Sequence, residues 1–285
     1  MMVGVDVRVR PAVLTDQRQI ANLMHFSPHV HRHLDWHYPL DWIGSPPFYV
    51  LENQGQIYAT LACPPDPPLV AWVRLFVNSG RMPFEEAWQT LWEAARLDLA
   101  RKGRFIAAAI VLQEWYHGLL LASGFSSRQS IVMLEREEQI LSGASLPTGL
   151  SIRALMQYDL PAVVEVDAAA FDPLWQNSLS SLEWAYPQAV LSTVAEMDGK
   201  VIGYQFSTRN PLGVHLARLA VRPAVQGRGV GRALVANLIQ QVEQHGMSRL
   251  TVNTQSDNAA SLALYKRTGF HETGERYPVY QLQIP

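Results

Sequence analysis

The run HLARLAV, His215–Val221, is short and rich in apolar residues, and it predicts a strand. The segment after it, GRALVANLIQQVEQHG, places Leu234, Leu238 and Val242 at every fourth position and predicts a helix. Gly227 and Gly229 lie between the two, and Gly231 opens the second. A strand, a glycine turn and a helix start together make an anion site, because bare N–H groups point outward and the helix dipole favours negative charge. A second strand–turn–helix follows in RLTVNTQSDNAASLALYKRTGF, Arg249–Phe270. Leu250 and Val252 alternate, Ser256-Asp257-Asn258 break the pattern, and Gly269 stands where a helix would end.

The same pattern of elements occurs twice. VRPAVLTDQRQIANL from Val9 aligns with IRALMQYDLPAVVEV from Ile152, which pairs Arg10 with Arg153 and Asp16 with Asp159. VLENQGQIYA from Val50 aligns with VAEMDGKVIG from Val194, with hairpin turns at Gln54-Gly55 and Asp198-Gly199. ASGF, ending at Phe125, aligns with RTGF, ending at Phe270; the offsets are 143, 144 and 145 residues. Two copies of one α/β domain are expected: residues 1–140, a Gly/Ser/Pro linker at 141–149, and residues 150–285. The copies differ at the glycine turn. Counting back 145 residues from it gives RMPFEE, Arg81–Glu86, without a glycine, and counting back from Tyr265 gives Leu120.

Two phosphate-loop patterns fail on the glycine turn. The only Gly-Lys pair, Gly199-Lys200, is followed by Val201, so no P-loop is present. Gly227-Arg228-Gly229-Val230-Gly231 lacks the spacing of a dinucleotide fingerprint and has no acidic residue about 20 positions on. Q-x-x-G-x-G does fit, through Gln226, Gly229 and Gly231, and it resembles the coenzyme A loop of the GNAT (N-acetyltransferase) superfamily. The second segment also resembles that family's N-x-x-A/S-x-x-L-Y-x-x-x-G-F, filled by Asn258, Ser261, Leu264, Tyr265, Gly269 and Phe270.

The resemblance implies two tandem GNAT-like α/β domains, each a mixed, mostly antiparallel sheet flanked by helices, with the first copy degenerate. It implies acetyl-CoA as co-substrate and an N-acetyltransferase acting on a small-molecule amine or a peptide amino group. The pyrophosphate would lie on the N–H groups of Gln226, Gly227, Arg228, Gly229, Val230 and Gly231, with Arg228 and Arg232 adding charge-assisted contacts. Two cations at the positive end of a helix are otherwise unfavourable, which itself points to an anion. The strand through Leu219, Ala220 and Val221 would pair with the pantetheine, and Asn258 and Ser261 would complete the cofactor site. Tyr265 matches the family's general acid for the leaving thiolate; by itself it reads as a half-buried core tyrosine.

The general base stays open. Some family members carry a glutamate eleven residues ahead of the loop glutamine, where this chain has His215. Strict alternation would put positions 215, 217, 219 and 221 on one strand face. A histidine titrating near neutrality suits the task, and a structural histidine suits the position equally well. Glu196, Glu183 and Asp172 are weaker candidates, and deprotonation through water needs no dedicated residue. Two rival readings remain: one intact and one worn copy is also similar to the mycothiol synthases, whose acceptor is a cysteinyl amine on a sugar conjugate. A non-catalytic acyl-CoA sensor would keep the loop without needing Tyr265.

HFSPHVHRHLDWH, His25–His37, contains five histidines and an aspartate. Pro28 interrupts it and no second ligand cluster accompanies it, so a polar loop or cleft wall is expected rather than a metal site. Trp36, Trp42 and Trp184 could line an apolar pocket, with core packing the default. Composition narrows the partners. With 48% hydrophobic and 17% charged residues in 285, the chain can bury two cores. The formal net charge is −2 and neither half is basic, which argues against nucleic acid or an acidic membrane. Cys63 is the single cysteine, fitting a reducing cytoplasm and a small buried hydrophobe. MMVGVDVRVR has no apolar signal region, and the longest apolar run, Phe105–Leu112, is too short to span a bilayer. Oligomeric state is not readable from the sequence.

Overall fold

The computed structural model describes residues 7–136, 147–210, 213–247 and 249–285; of the expected linker, only 147–149 lies inside them. Two compact units emerge, one of residues 1–128 with 278–285, the other of residues 129–277. The units do not follow the boundaries expected from sequence. Residues 129–136 group with the second unit, and the C-terminal 278–285 group with the first. Backbone pairing within each unit gives the reason.

In the first unit the elements run β1 (Arg8–Pro11), α1 (Gln17–Phe26), β2 (His29–Arg32), β3 (Phe48–Asn53), β4 (Gln56–Ala62), β5 (Val70–Trp72), β6 (Leu75–Asn78), α2 (Phe84–Lys102), β7 (Phe105–Ile110) and α3 (Glu114–Ala122). The order β1-β3-β4-β6-β2 is antiparallel throughout, and β5 runs parallel to β7. The long last strand of the chain, β14 (His271–Ile284), pairs its residues 279–284 antiparallel with β7, which is why the C-terminus belongs to this unit.

The second unit takes the end of β8 (Ser126–Arg136) and continues through β9 (Leu150–Ala154), α4 (Leu160–Ala170), α5 (Leu179–Gln188), β10 (Leu191–Met197), β11 (Lys200–Asn210), β12 (Gly213–Val221), α6 (Val230–Gln244), β13 (Leu250–Gln255) and α7 (Ala259–Arg267). Its strand order is β9-β10-β11-β12-β13-β8; only β12 and β13 are parallel. Residues 131–136 of β8 pair with β13, so they join this unit.

Local structure repeats between the units. Asp16 accepts from the Val13 N–H at 2.8 Å and from Arg10, which also pairs with Glu52 at 2.7 Å. Asp159 accepts from the Met156 N–H at 2.8 Å and from Arg153, which pairs with Glu196 at 2.6 Å. Both hairpin turns place their two central residues at positive φ, Gln54 with Gly55 and Asp198 with Gly199. Each unit has its own core. Leu51, Leu61, Phe76, Trp88, Leu91 and Tyr116 are among the buried residues of the first. In the second, Val235, Leu238, Ile239 and Val242 form the buried stripe of α6 against Val214, Leu216 and Val252.

Candidate active site

The second unit contains a fork. β12 and β13 pair only through Val214–Leu250, His215–Thr251 and Leu216–Val252. Beyond that point β13 stays with β8 as far as Gln255, and β12 stays with β11 as far as Val221. Among the described residues no strand pairs with the β12 edge from Ala217 to Val221. A bulge marks the vertex: Phe206 stands opposite Arg218 and Ser207 opposite Leu216, which leaves Ala217 as the extra residue.

That bulge overturns the expectation that residues 215, 217, 219 and 221 share a face. Val214 and Leu216 pack with the α6 stripe, and beyond the bulge so do Leu219 and Val221. One extra residue shifts the alternation by one. His215 therefore sits on the opposite face of the sheet from Leu219 and Val221, and Ala220 is buried with it on that opposite side. The His215 ring lies 2.9 Å from the Thr251 hydroxyl. Burial lowers its pKa, a side-chain hydrogen bond with Asn253 works the other way, and the ring is neutral at neutral pH.

The glycine turn lies at the open end of β12. Gly227 and Gly229 take φ values of +74° and +87°, and Gly229 is the N-cap of α6 without a capping side chain. The first helical bond is Ala233 N–H to Gly229 O at 2.9 Å. Among the described residues, no partner is found for the N–H groups of 227–232, and no acidic side chain stands in the first turn of α6. Gln226, Arg228 and Arg232 are exposed. The Gln226 side chain turns inward, donating to Val221 O at 2.9 Å, so it ties the loop to the strand end. Gly231 has a different task. A Cβ there would come within 3.3 Å of the Leu264 side chain, so its absence lets α6 lie close to α7.

Asn258 caps α7: its side chain accepts from the Ser261 N–H at 3.1 Å, so these two residues shape the helix start. Tyr265 is 4% exposed, among Val214, Leu216, Val252 and Phe270. Burial raises its pKa well above the usual tyrosine value, with the Arg218 charge acting in the opposite direction. Of the weaker base candidates, Glu196 is held by Arg153, Asp172 accepts from the Leu174 N–H at 3.0 Å, and Glu183 is exposed.

Sequence reasoning missed a buried ionic cluster at the vertex. Arg218 donates twice to Asp167, at 2.8 Å each, and to Trp175 O at 2.5 Å. Asp167 is fully buried and also accepts from the Asn177 N–H at 2.7 Å and from the Tyr204 hydroxyl. Phe171 covers the guanidinium at 3.6 Å. An aspartate within the apolar helix segment VVEVDAAA was the available signal, since an unpaired carboxylate is too costly to bury there.

The first unit has the same fork, but it is filled. β5 runs parallel to β7, Val73 N–H still bonds to Ala108 O, and then Arg74 N–H turns to Ala62 O. Past this break β6 leaves β7, and β2 takes the vacated edge, with His29 opposite Asn78 and Arg32 opposite Leu75. The expected polar loop or cleft wall around His25–His37 is thus a strand from His29 to Arg32. Its alternate residues and the one beyond, His29, His31 and His33, stack on Phe84, Tyr116 and Trp72. Among the described residues no group of three His, Cys, Asp or Glu is arranged to hold a metal. α2 begins with Glu85 and Glu86 in its first turn, and Asn78 occupies the preceding loop through the Gly80 N–H and Met82 O. Cys63 is buried and its thiol is pushed up to about 12, unsuited to nucleophilic work. Among the described residues no helix is long and apolar enough to cross a membrane.

Residues 160–270 match the model of the Acetyltransferase (GNAT) family. A mycothiol acetyltransferase of Amycolatopsis mediterranei is 29% identical over 205 residues, covering 60% of this chain and 66% of that one. The [ribosomal protein bS18]-alanine N-acetyltransferase of Escherichia coli is 28% identical over 130 residues, covering 46% of this chain and 86% of that one. The chain spans about half to two thirds of the length of the mycothiol acetyltransferases it matches. In fold, a tandem GNAT protein from the clavulanic acid biosynthesis pathway superposes with a TM-score of 0.66 at 19% identity, over 98% of this chain and 99% of that one. The second unit carries a GNAT acetyltransferase domain, and the whole chain has a tandem GNAT fold.

Proposed function

We propose that this chain transfers the acetyl group of acetyl-CoA to the primary amine of a small molecule or peptide, at the fork of the second unit. The observation that carries the reading is the run of N–H groups at 227–232 that has no partner among the described residues, at the mouth of a fork whose strand edge is unpaired among them. Diphosphate fits such a run. Each N–H is a donor that an anion can satisfy, the α6 dipole adds to it, and Arg228 and Arg232 supply countercharge. The free β12 edge through Leu219, Ala220 and Val221 suits an amide-bearing chain such as pantetheine, which would pair as an added strand does.

Transfer requires a neutral amine, a stabilised oxyanion and a proton for the departing thiolate. Tyr265 is assigned the last task; burial keeps it protonated at neutral pH, as an acid must be. His215 is assigned the amine's proton. A neutral imidazole can accept it, and Thr251 orients the ring. Arg228 and Arg232 remain exposed for the phosphates, while Asn258 and Ser261 shape the start of the helix that carries Tyr265.

A second reading narrows the acceptor to a mycothiol-type amine, and it is supported by the name of the relatives that match at 29% identity. The test is a panel of primary amines, including a cysteinyl glucosamine–inositol conjugate and alanine-ended peptides, incubated with acetyl-CoA and followed by free thiol. Amine-dependent thiol release with an acetylated amide product supports the reading. Acetyl-CoA binding without transfer to any amine would favour an acyl-CoA sensor instead.

A further inference from the structure

The segment that follows the first helix of each unit takes opposite courses. In the first unit it enters the fork as β2. An offset of 144 residues places β2 on Pro173–Gln176 of the second unit, where the chain forms a 3-10 turn, Pro173–Trp175, and among the described residues pairs with no strand. This strap is fastened to both arms of the open fork. On the β12 side Arg218 holds Trp175 O, and Asp167 holds both Arg218 and the Asn177 N–H. On the β13–β8 side the Trp175 indole donates to Gln129 at 3.0 Å, and the Gln129 amide, oriented by its hydrogen-bond network, donates to Asp257 at 3.1 Å. Gln176 also donates to Ala168 O and Phe171 O, at 3.0 Å each, and draws the strap back onto the end of α4.

A vacant strand edge attracts any extended segment within reach, because its N–H and C=O groups are unpaired. The first unit shows that a segment in this place can satisfy that edge. We propose that Asp167 is a positioning residue that keeps the strap out of the second fork, and that acetyl-CoA affinity depends on it although it lies outside the proposed cofactor contacts. Its carboxylate is the common acceptor for three restraints: the Tyr204 hydroxyl, the strap at Asn177 and the vertex arginine. Without the charge, Arg218 loses its ion-pair partner and is held less firmly against Trp175 O, so the strap's anchor on the β12 side loosens. The strap is then free to compete for the edge at Ala217–Val221. If the open fork becomes a minor fraction of the population, apparent affinity falls by that fraction.

This inference rests on the acetyl-CoA reading above, so the experiment begins with the unaltered protein. Calorimetry with acetyl-CoA on the full chain must show binding; its absence would count against the reading itself and with it the role of Asp167. Asp167→Asn is expected to stay folded by circular dichroism and to bind acetyl-CoA about tenfold or more weakly. In the absence of ligand, its amides at Leu219 and Val221, which face the open edge, are expected to exchange with solvent more slowly, because the strap now pairs with them. A merely structural role would leave exchange there unchanged or faster. Asp159→Asn breaks the analogous buried carboxylate near β9 and is expected to cost stability while leaving affinity within twofold of the unaltered protein, a margin set by the scatter of such comparisons. Should Asp167→Asn fail to fold, Trp175→Ala releases the other end of the strap and is expected to weaken binding in the same way. Unchanged acetyl-CoA affinity in Asp167→Asn, or in Trp175→Ala where Asp167→Asn does not fold, would overturn the proposal.

Discussion

The two helix starts that follow the forks, α2 at Phe84 and α6 at Val230, carry opposite chemistry. α6 is approached through glycines at positive φ, has no acidic residue in its first turn and has two exposed arginines beside it. α2 follows Pro83 and places Glu85 and Glu86 in its first turn, where their own charges satisfy the dipole. The forks differ in the same sense. The edge of β6 is filled by β2, whereas the edge of β12 is unpaired among the described residues. Between α2 and α3 lies a crevice of about 650 Å³, lined by Trp88, Trp92 and Trp115 together with Glu85, Glu93 and Arg96. A duplicated fold can therefore keep its framework while two independent features, one of charge and one of occupancy, set its two forks apart. The retained arginines argue the same point from the other side. Arg74 and Arg218 both sit at a fork vertex in a buried pair with an aspartate, Asp35 and Asp167, although only one fork is open. That position serves the fork itself.

The largest expected effect comes from making the open site resemble the closed one. In Gly229→Asp a carboxylate would stand at the N-cap of α6 and take the N–H groups that a diphosphate needs, while its charge repels the ligand. Acetyl-CoA binding is expected to vanish in calorimetry with the helical signal preserved. Unaltered affinity would show that the ligand lies elsewhere.

Next in size is Tyr265→Phe. The ring remains in its apolar surroundings, so stability should change little, but the proton donor is lost. General acid catalysis contributes about 10²–10⁴-fold, so kcat should fall by roughly 100-fold or more with acetyl-CoA affinity nearly unchanged. Near-full turnover with chemistry rate-limiting would make the tyrosine structural.

A smaller effect, confined to the first unit, tests what fills its fork. Burial pushes His31 down to about 4 and His33 to about 3. Both are neutral in the folded unit and titrate near 6.5 when unfolded, so their contribution is fully present above pH 6.5. It falls as the pH drops from 6.5 towards 4, because the unfolded chain binds the protons. Burial pushes the Asp35 carboxyl up, but the Arg74 charge and the hydrogen bond from the His37 N–H hold it below the usual range, so its contribution is lost in the same direction. Urea unfolding followed across this range should show the first unit losing on the order of a few kcal/mol by pH 4. A flat profile would mean that the histidines of β2 are not buried against Tyr116 and Trp72.

Much of the framework was legible because its signals are local. The hairpins at Gln54-Gly55 and Asp198-Gly199, the glycine turn before α6 and the α7 segment ending at Gly269 are each set by a few adjacent residues. The filled fork was not legible, since His-Val-His-Arg-His has Val30 as its single apolar residue and so resembles a solvated loop. Only stacking on Phe84, Tyr116 and Trp72, distant in sequence, makes its histidines interior. The bulge at Ala217 leaves no mark in composition, so alternation placed His215 on the wrong face. The grouping of residues 129–136 and 278–285 was hidden for a related reason: strand pairing depends on partners more than a hundred residues away.

The measurement that tests the comparison most directly is the stoichiometry of acetyl-CoA binding to the full chain by isothermal titration calorimetry. One open, donor-lined fork beside one filled, acid-fronted fork predicts a single site per chain, abolished by Gly229→Asp. A stoichiometry of two, or one site that survives Gly229→Asp, would contradict the account.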